Sequence, residues 1–169
     1  MELTNTLTIE HTVIASNQPY EKVLEALKAR MGSIEGWHEM ARKLNEIASA
    51  HTSWEQITEI IEAYIGESGF TLFSTVEHTP LLTLSGKTSK AIQYMAGNPL
   101  LALQMSRLQP EVALYAPLRF VVYLDEAGQT FIAYDNLVSQ IAQYQREEIT
   151  QVAQVVQHKL RTLLMEVTQ

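Results

Sequence analysis

Cysteine is absent from the chain. That removes disulfides, thiolate nucleophiles and Cys-built zinc sites at once, and it fits a reducing compartment. Basic charge is scarce, with 12 Lys and Arg against 19 Asp and Glu and a formal charge of −7. Binding to nucleic acid or to an anionic membrane runs on Lys and Arg, so neither partner is expected. No uncharged apolar run reaches the roughly 18 residues of a bilayer span. The opening MELTNTLTIEH has neither the basic flank nor the apolar stretch of a secretory signal, and a cytoplasmic location is expected. The seven glycines are scattered, and no phosphate loop, dinucleotide fingerprint, GxSxG elbow or HExxH pair is formed. No cofactor and no metal are expected.

What is present is a chain of 169 residues, the size of one domain, 1–169. Such a chain buries roughly 68–70% of its unfolded surface and needs no staple. Alternation of Leu7, Ile9, Val13 and Ala15 predicts a strand over 7–15. Ser16-Asn17-Gln18-Pro19 starts a helix carrying Tyr20, Val23, Leu24, Leu27 and Met31 on one face, ended by Gly32. Trp37 to Ile47 repeats the helical spacing. Thr52 with Glu55 reads as a capping box for a third helix. Phe70 to His78 and Pro80 to Ser85 read as two strands; Lys90 to Ala96 fits helix or strand, and the alternation of Ile92, Tyr94 and Ala96 favours strand. Asn98 caps, and Pro99 opens, a short helix through Leu108.

The clearest β signal is LRFVVYLDEAGQTFIAYD, residues 118–135, a hairpin around Asp125-Glu126-Ala127-Gly128. A long helix closes the chain over 147–167, with Glu147 and Glu148 suited to its dipole. Its apolar stripe is Ile149, Val152, Val155, Val156, Leu160, Leu163, Leu164 and Val167. Helices and strands mix without βαβ alternation. The expected class is therefore α+β, a mainly antiparallel sheet with helices on one side.

TIEHT at 8–12 is echoed by TVEHT at 75–79. Side chains alternate faces on a strand, so neither pentad can put its Glu and His on one metal. Only if the two strands paired in register could His11 face His78. The likeness does not extend beyond the pentads, which reads as coincidence of strand ends, with a ligand contact by His78 as the rival reading. Gly97-Asn98-Pro99 before a helix can cradle an anion on free N–H groups, or can simply be a turn with a cap. Arg119 shares a strand face with Val121 and Tyr123. It can pair with Asp135 or Glu77, or clamp an anionic ligand.

MAGNPLLALQM followed by LYAPLRFVVYLDEAGQTFIAYD resembles domain-of-unknown-function family 302. The elements that carry the resemblance are the helix 54–68, the Gly69-Phe70 strand ending in His78, Gly97-Asn98-Pro99, and Pro117-Leu118-Arg119. The likeness covers about 52–150, preceded by a strand and two helices and closed by a C-terminal helix. It implies an α+β fold and a homodimer, and no established activity. One departure is Tyr134-Asp135-Asn136-Leu137, where relatives often continue with Pro-Ser-Ser.

Three functional readings follow. The first is a small, anionic ligand held by His78, Gly97, Asn98, Arg119, Tyr134 and Asp135. The second is a homodimeric protein-interaction module without small-molecule chemistry. The third is an acid–base enzyme using His78 with Asp135, for which no substrate can be named.

Overall fold

The structure, a computed structural model, describes residues 2, 4–48 and 52–169. Five strands form one antiparallel sheet: β1 His11–Ala15, β2 Thr71–Glu77, β3 Lys90–Gly97, β4 Leu118–Leu124 and β5 Thr130–Asp135. Their spatial order is β1-β5-β4-β3-β2. Among the described residues seven α-helices accompany them: α1 Tyr20–Arg30, α2 Ile34–Ile47, α3 Trp54–Glu62, α4 Thr79–Leu84, α5 Pro99–Ser106, α6 Leu137–Ile141 and α7 Glu147–Val167. The class is α+β, as the mixture of periodicities predicted.

The central hairpin shows why. In β4, Leu118, Phe120 and Val122 are buried, while Arg119 is exposed and Val121 and Tyr123 are half-buried. Period-two alternation sends one set to the core and the other outward. The turn is built by the Asp125 carboxylate, which accepts from the backbone N–H of Ala127 at 3.0 Å and Gln129 at 2.8 Å. Gly128 supplies the positive φ of 83° that closes it.

The core lies between the inner sheet face and the helices packed on it, chiefly α1 and α7, with Met105 of α5 and Leu137 and Ile141 of α6. From α1 come Tyr20, Val23 and Leu27; from α7 come Ile149, Ala153, Val156, Leu160, Leu163, Leu164 and Val167. At 21 residues, α7 is about 31 Å long, enough to cross the sheet. Ala153 faces the core and Val155 does not: Val155 is 48% exposed, so the expected stripe is one position narrower there. Tyr94 and Phe120 stack with ring centroids 5.0 Å apart, tying β3 to β4 across the buried face.

Several expectations are corrected. Residues 80–85 form a helix, not a strand. Pro80 lies in the first turn of α4, where its missing N–H costs nothing, and six residues carry too little periodicity to decide by pattern. The capping box sits one residue later than read: Ser53 accepts from Gln56 N–H at 3.3 Å, and Gln56 Oε1 accepts from Ser53 N–H at 3.1 Å. Helix α1 ends at Arg30 with Met31 as its C-cap, one residue before Gly32. Gly32 is needed for close approach, since a Cβ there would lie 2.0 Å from the Tyr64 carbonyl oxygen. The first strand begins at His11, not Leu7.

Candidate functional site

The two histidine pentads lie at opposite edges of the sheet, because β1 and β2 are its outermost strands. His11 therefore never meets His78, and no two-histidine site forms. Among the described residues no three of His, Asp and Glu are placed to hold a metal. His11 instead pairs through Nδ1 with the Asp135 carboxylate at 2.7 Å, both groups about half exposed. The exposed His78 precedes α4, and its N–H donates to Ala91 at 2.9 Å. Ala91 is six residues along β3 from Gly97, about 20 Å at strand rise. His78 thus stands apart from the other five expected site residues, and it does not share a site with Asp135.

Those five gather at the other end of the sheet, around two depressions. The first is an open pocket of about 410 Å³ lined by Trp37 of α2, Phe73 of β2, the Gly97-Asn98-Pro99 turn, Ala102, Leu103 and Met105 of α5, and Pro117. Leu118, Leu137 and Val156 complete its apolar wall. Trp37 and Phe73 meet edge to face with centroids 4.5 Å apart. A Cβ at Gly97 would come within 3.1 Å of the Phe73 ring, so a larger residue there would press that ring aside. The second depression, about 330 Å³, holds Arg119, Tyr134 and Asp135 with His11, Gln93 and Gln140. The two share Tyr115, Pro117 and Leu118.

Asn98 has a structural role in full. Its Oδ1 accepts from Leu100 N–H at 3.0 Å and Leu101 N–H at 3.2 Å, and its Nδ2 donates to the Gly69 carbonyl at 2.9 Å. The N–H groups expected to cradle an anion are therefore occupied by the cap itself. No Lys, Arg, His, Asp or Glu lines the larger cavity. Its polar atoms are few: the Ser106 hydroxyl, the Asn98 amide, and the Tyr115 hydroxyl, which accepts from Gln143 Nε2 at 2.7 Å.

Arg119 and Tyr134 leave the sheet on opposite faces. Tyr134 is 5% exposed and belongs to the core, whereas Arg119 is exposed. Neither expected acid reaches Arg119: Asp135 pairs with His11, and Glu77 accepts from Thr79 N–H at 3.1 Å. Among the described residues Arg119 makes no ion pair. Sequence reasoning missed Trp37, Phe73 and Leu103 as cavity wall. Each sat in an ordinary apolar pattern, and no local signal separates a residue facing a void from one facing a neighbour.

Two groups in the core deserve note for their titration. Burial, reinforced by Glu77 and then Glu21, pushes the Tyr94 phenol up to about 12. The same causes, burial first, raise the Tyr20 phenol further.

Comparison with known proteins places the chain. The family described as "Domain of unknown function DUF302" matches residues 45–167. No curated protein sequence matches it. The solved structure "Crystal structure of uncharacterized conserved protein DUF302 from Bacillus stearothermophilus" is similar over 94% of this chain and 98% of that one, with a TM-score of 0.63 and 15% identity. At that identity the likeness speaks for the fold. With the GNP turn, the PLR strand and the antiparallel sheet all in place, the chain belongs to the DUF302 family.

Proposed function

We propose that this domain binds a small, uncharged, largely apolar molecule in the cavity between Trp37, Phe73, α5 and Pro117. The carrying observation is the cavity itself. At about 410 Å³ it falls within the range of small-molecule sites, and its wall is almost wholly hydrocarbon and aromatic. The free Ser106 hydroxyl offers one hydrogen bond to orient a ligand. An anionic ligand, the expectation drawn from Gly97-Asn98-Pro99 and Arg119, fits the cavity less well, because it would be desolvated there without a cationic partner.

A neutral dye and its anionic relative separate the two. N-phenyl-1-naphthylamine should bind with enhanced emission and alter Trp37 fluorescence, while its sulfonated analogue binds more weakly. Ala102→Phe, which fills the cavity from α5, should abolish neutral-dye binding. Tighter binding of the sulfonate, lost in Arg119→Ala but kept in Ala102→Phe, would move the site to the Arg119 recess. Absence of binding by either dye would end the small-molecule reading for ligands of this size.

A further inference from the structure

The strand β3 runs from Lys90 to Gly97, about 23 Å at strand rise, and the Trp37 pocket lies at its Gly97 end. Beside Lys90, at the other end, α1, the close of β2 and α4 border an open groove of about 680 Å³. Its charged wall is Glu21, Glu77 and Lys90, its apolar wall Leu24, Pro80 and Leu84, and Tyr20 also lines it. Tyr20 is 6% exposed, yet its buried hydroxyl has no hydrogen-bond partner. Buried polar groups are nearly always satisfied, and an orphan calls for a reason. After burial itself, Glu77 acts on this phenol most strongly, and Thr79 also reaches it. Both residues line the groove, so the hydroxyl lies on the groove side of the ring. Thr79 is turned to Ala91, accepting from its N–H at 3.1 Å and donating to its carbonyl at 3.5 Å.

The charges of the groove do not balance. Lys90 Nζ donates to Glu21 at 2.9 Å and stands 5.4 Å from the Tyr20 ring centroid, so this wall already accommodates one ammonium. Glu77 accepts from Thr79 N–H through Oε1 and makes no ion pair among the described residues. We infer that the groove binds a small primary amine as its monocation, with the ammonium between Glu77 and the Tyr20 hydroxyl and the hydrocarbon arm along Leu24, Pro80 and Leu84. An ammonium carries three donors and no acceptor, which suits a carboxylate and a phenol oxygen that both lack a donor. With it the groove holds two carboxylates and two ammonium groups. The arm covers Leu84, which is 84% exposed, and removes apolar surface from water. A divalent metal ion is a poorer match, because no third carboxylate or imidazole among the described residues is placed to complete its shell. A diamine is poorer too, since its second charge falls on the hydrocarbon wall.

Hexylamine titrated into the full chain at neutral pH and fixed ionic strength should shift the amide signals of Tyr20, Glu21, Glu77 and Thr79, saturating in the millimolar range. Trp37 fluorescence should stay unchanged, which separates this groove from the pocket at the other end of the sheet. Hexamethylenediamine should bind more weakly, and hexanol and hexanoate should leave these signals in place. Glu77→Gln, which keeps the acceptor for Thr79, should weaken hexylamine about fivefold. Tyr20→Phe should weaken it about threefold without lowering the melting temperature, because the hydroxyl it removes has no partner. Lys90→Met, which frees Glu21, should tighten binding. A lysine capped as its acetyl methylamide should bind more weakly than hexylamine, since its polar end meets Pro80 and Leu84. Tighter binding of that capped lysine overturns the free amine as occupant and gives the groove to a lysine of a partner. Shifts by hexanol equal to those by hexylamine, no saturable local shift, or binding indifferent to both Glu77→Gln and Tyr20→Phe overturns the site.

Discussion

The two faces of β4 differ by one residue in register and by everything in surroundings. Leu118, Phe120 and Val122 are at most 7% exposed and lie under α1 and α7. Arg119, Val121 and Tyr123 look the other way and take no part in that core. The polypeptide is equally β-prone on both sides, since Val and Tyr favour strands as strongly as Leu and Phe. What separates the faces is parity, not polarity. A strand that is apolar on both sides normally belongs to a sheet covered on both sides, and here only the inner side of β4 builds the core.

The comparison can be broken from the inside first. Phe120→Ala should cost about 3–5 kcal/mol in urea unfolding, because a fully buried ring is lost and the stack on Tyr94 with it. At the end of β3, where the two faces meet the GNP turn, Asn98→Ala should cost about 1–2 kcal/mol. It removes a cap and leaves the Gly69 carbonyl without its donor.

A pH series probes the inner face without a cavity. Tyr94 is raised above its unfolded value near 10, so the folded state holds the neutral phenol. The stability is intact below about pH 10 and falls as pH rises toward about 12. Tyr94→Phe should lessen that fall, measured as the urea midpoint at pH 9 and pH 11.5. On the outer face Val121→Thr should change the stability of the dilute protein by no more than about 0.5 kcal/mol. If it costs as much as the Phe120 substitution, the two faces are not different environments.

Much of the fold could be read from the chain before its structure. The 118–135 hairpin and the 147–167 helix were legible because each carries a sustained period and a chemically specific end, Asp125 with Gly128 in one case and paired glutamates in the other. Asn98 and Pro99 likewise announced α5. What escaped was short or non-local. TPLLTL is six residues, too few to tell a period of 2 from one of 3.6, and its Leu81 and Leu84 face solvent, so burial imposed no pattern. The 3-10 turn Pro110–Tyr115 and α6 carry similarly little periodicity. Of the expected site residues, Gly97, Asn98, Arg119, Tyr134 and Asp135 lie together at one end of the sheet, whereas His78 lies towards the other. Sheet order placed it elsewhere, and order depends on pairings across more than a hundred residues.

The strand order carries one more consequence. His11 and Asp135 meet across 124 positions, so on a growing chain the first strand made is the last to find its neighbour. Until then the free side of β5 is a bare row of hydrogen-bonding groups, the kind of edge along which chains aggregate. The segment that closes it precedes the family-matched span of 45–167. A fragment trimmed to that span should misassemble in proportion to its concentration, and a synthetic peptide of residues 8–17 supplied in excess should suppress it.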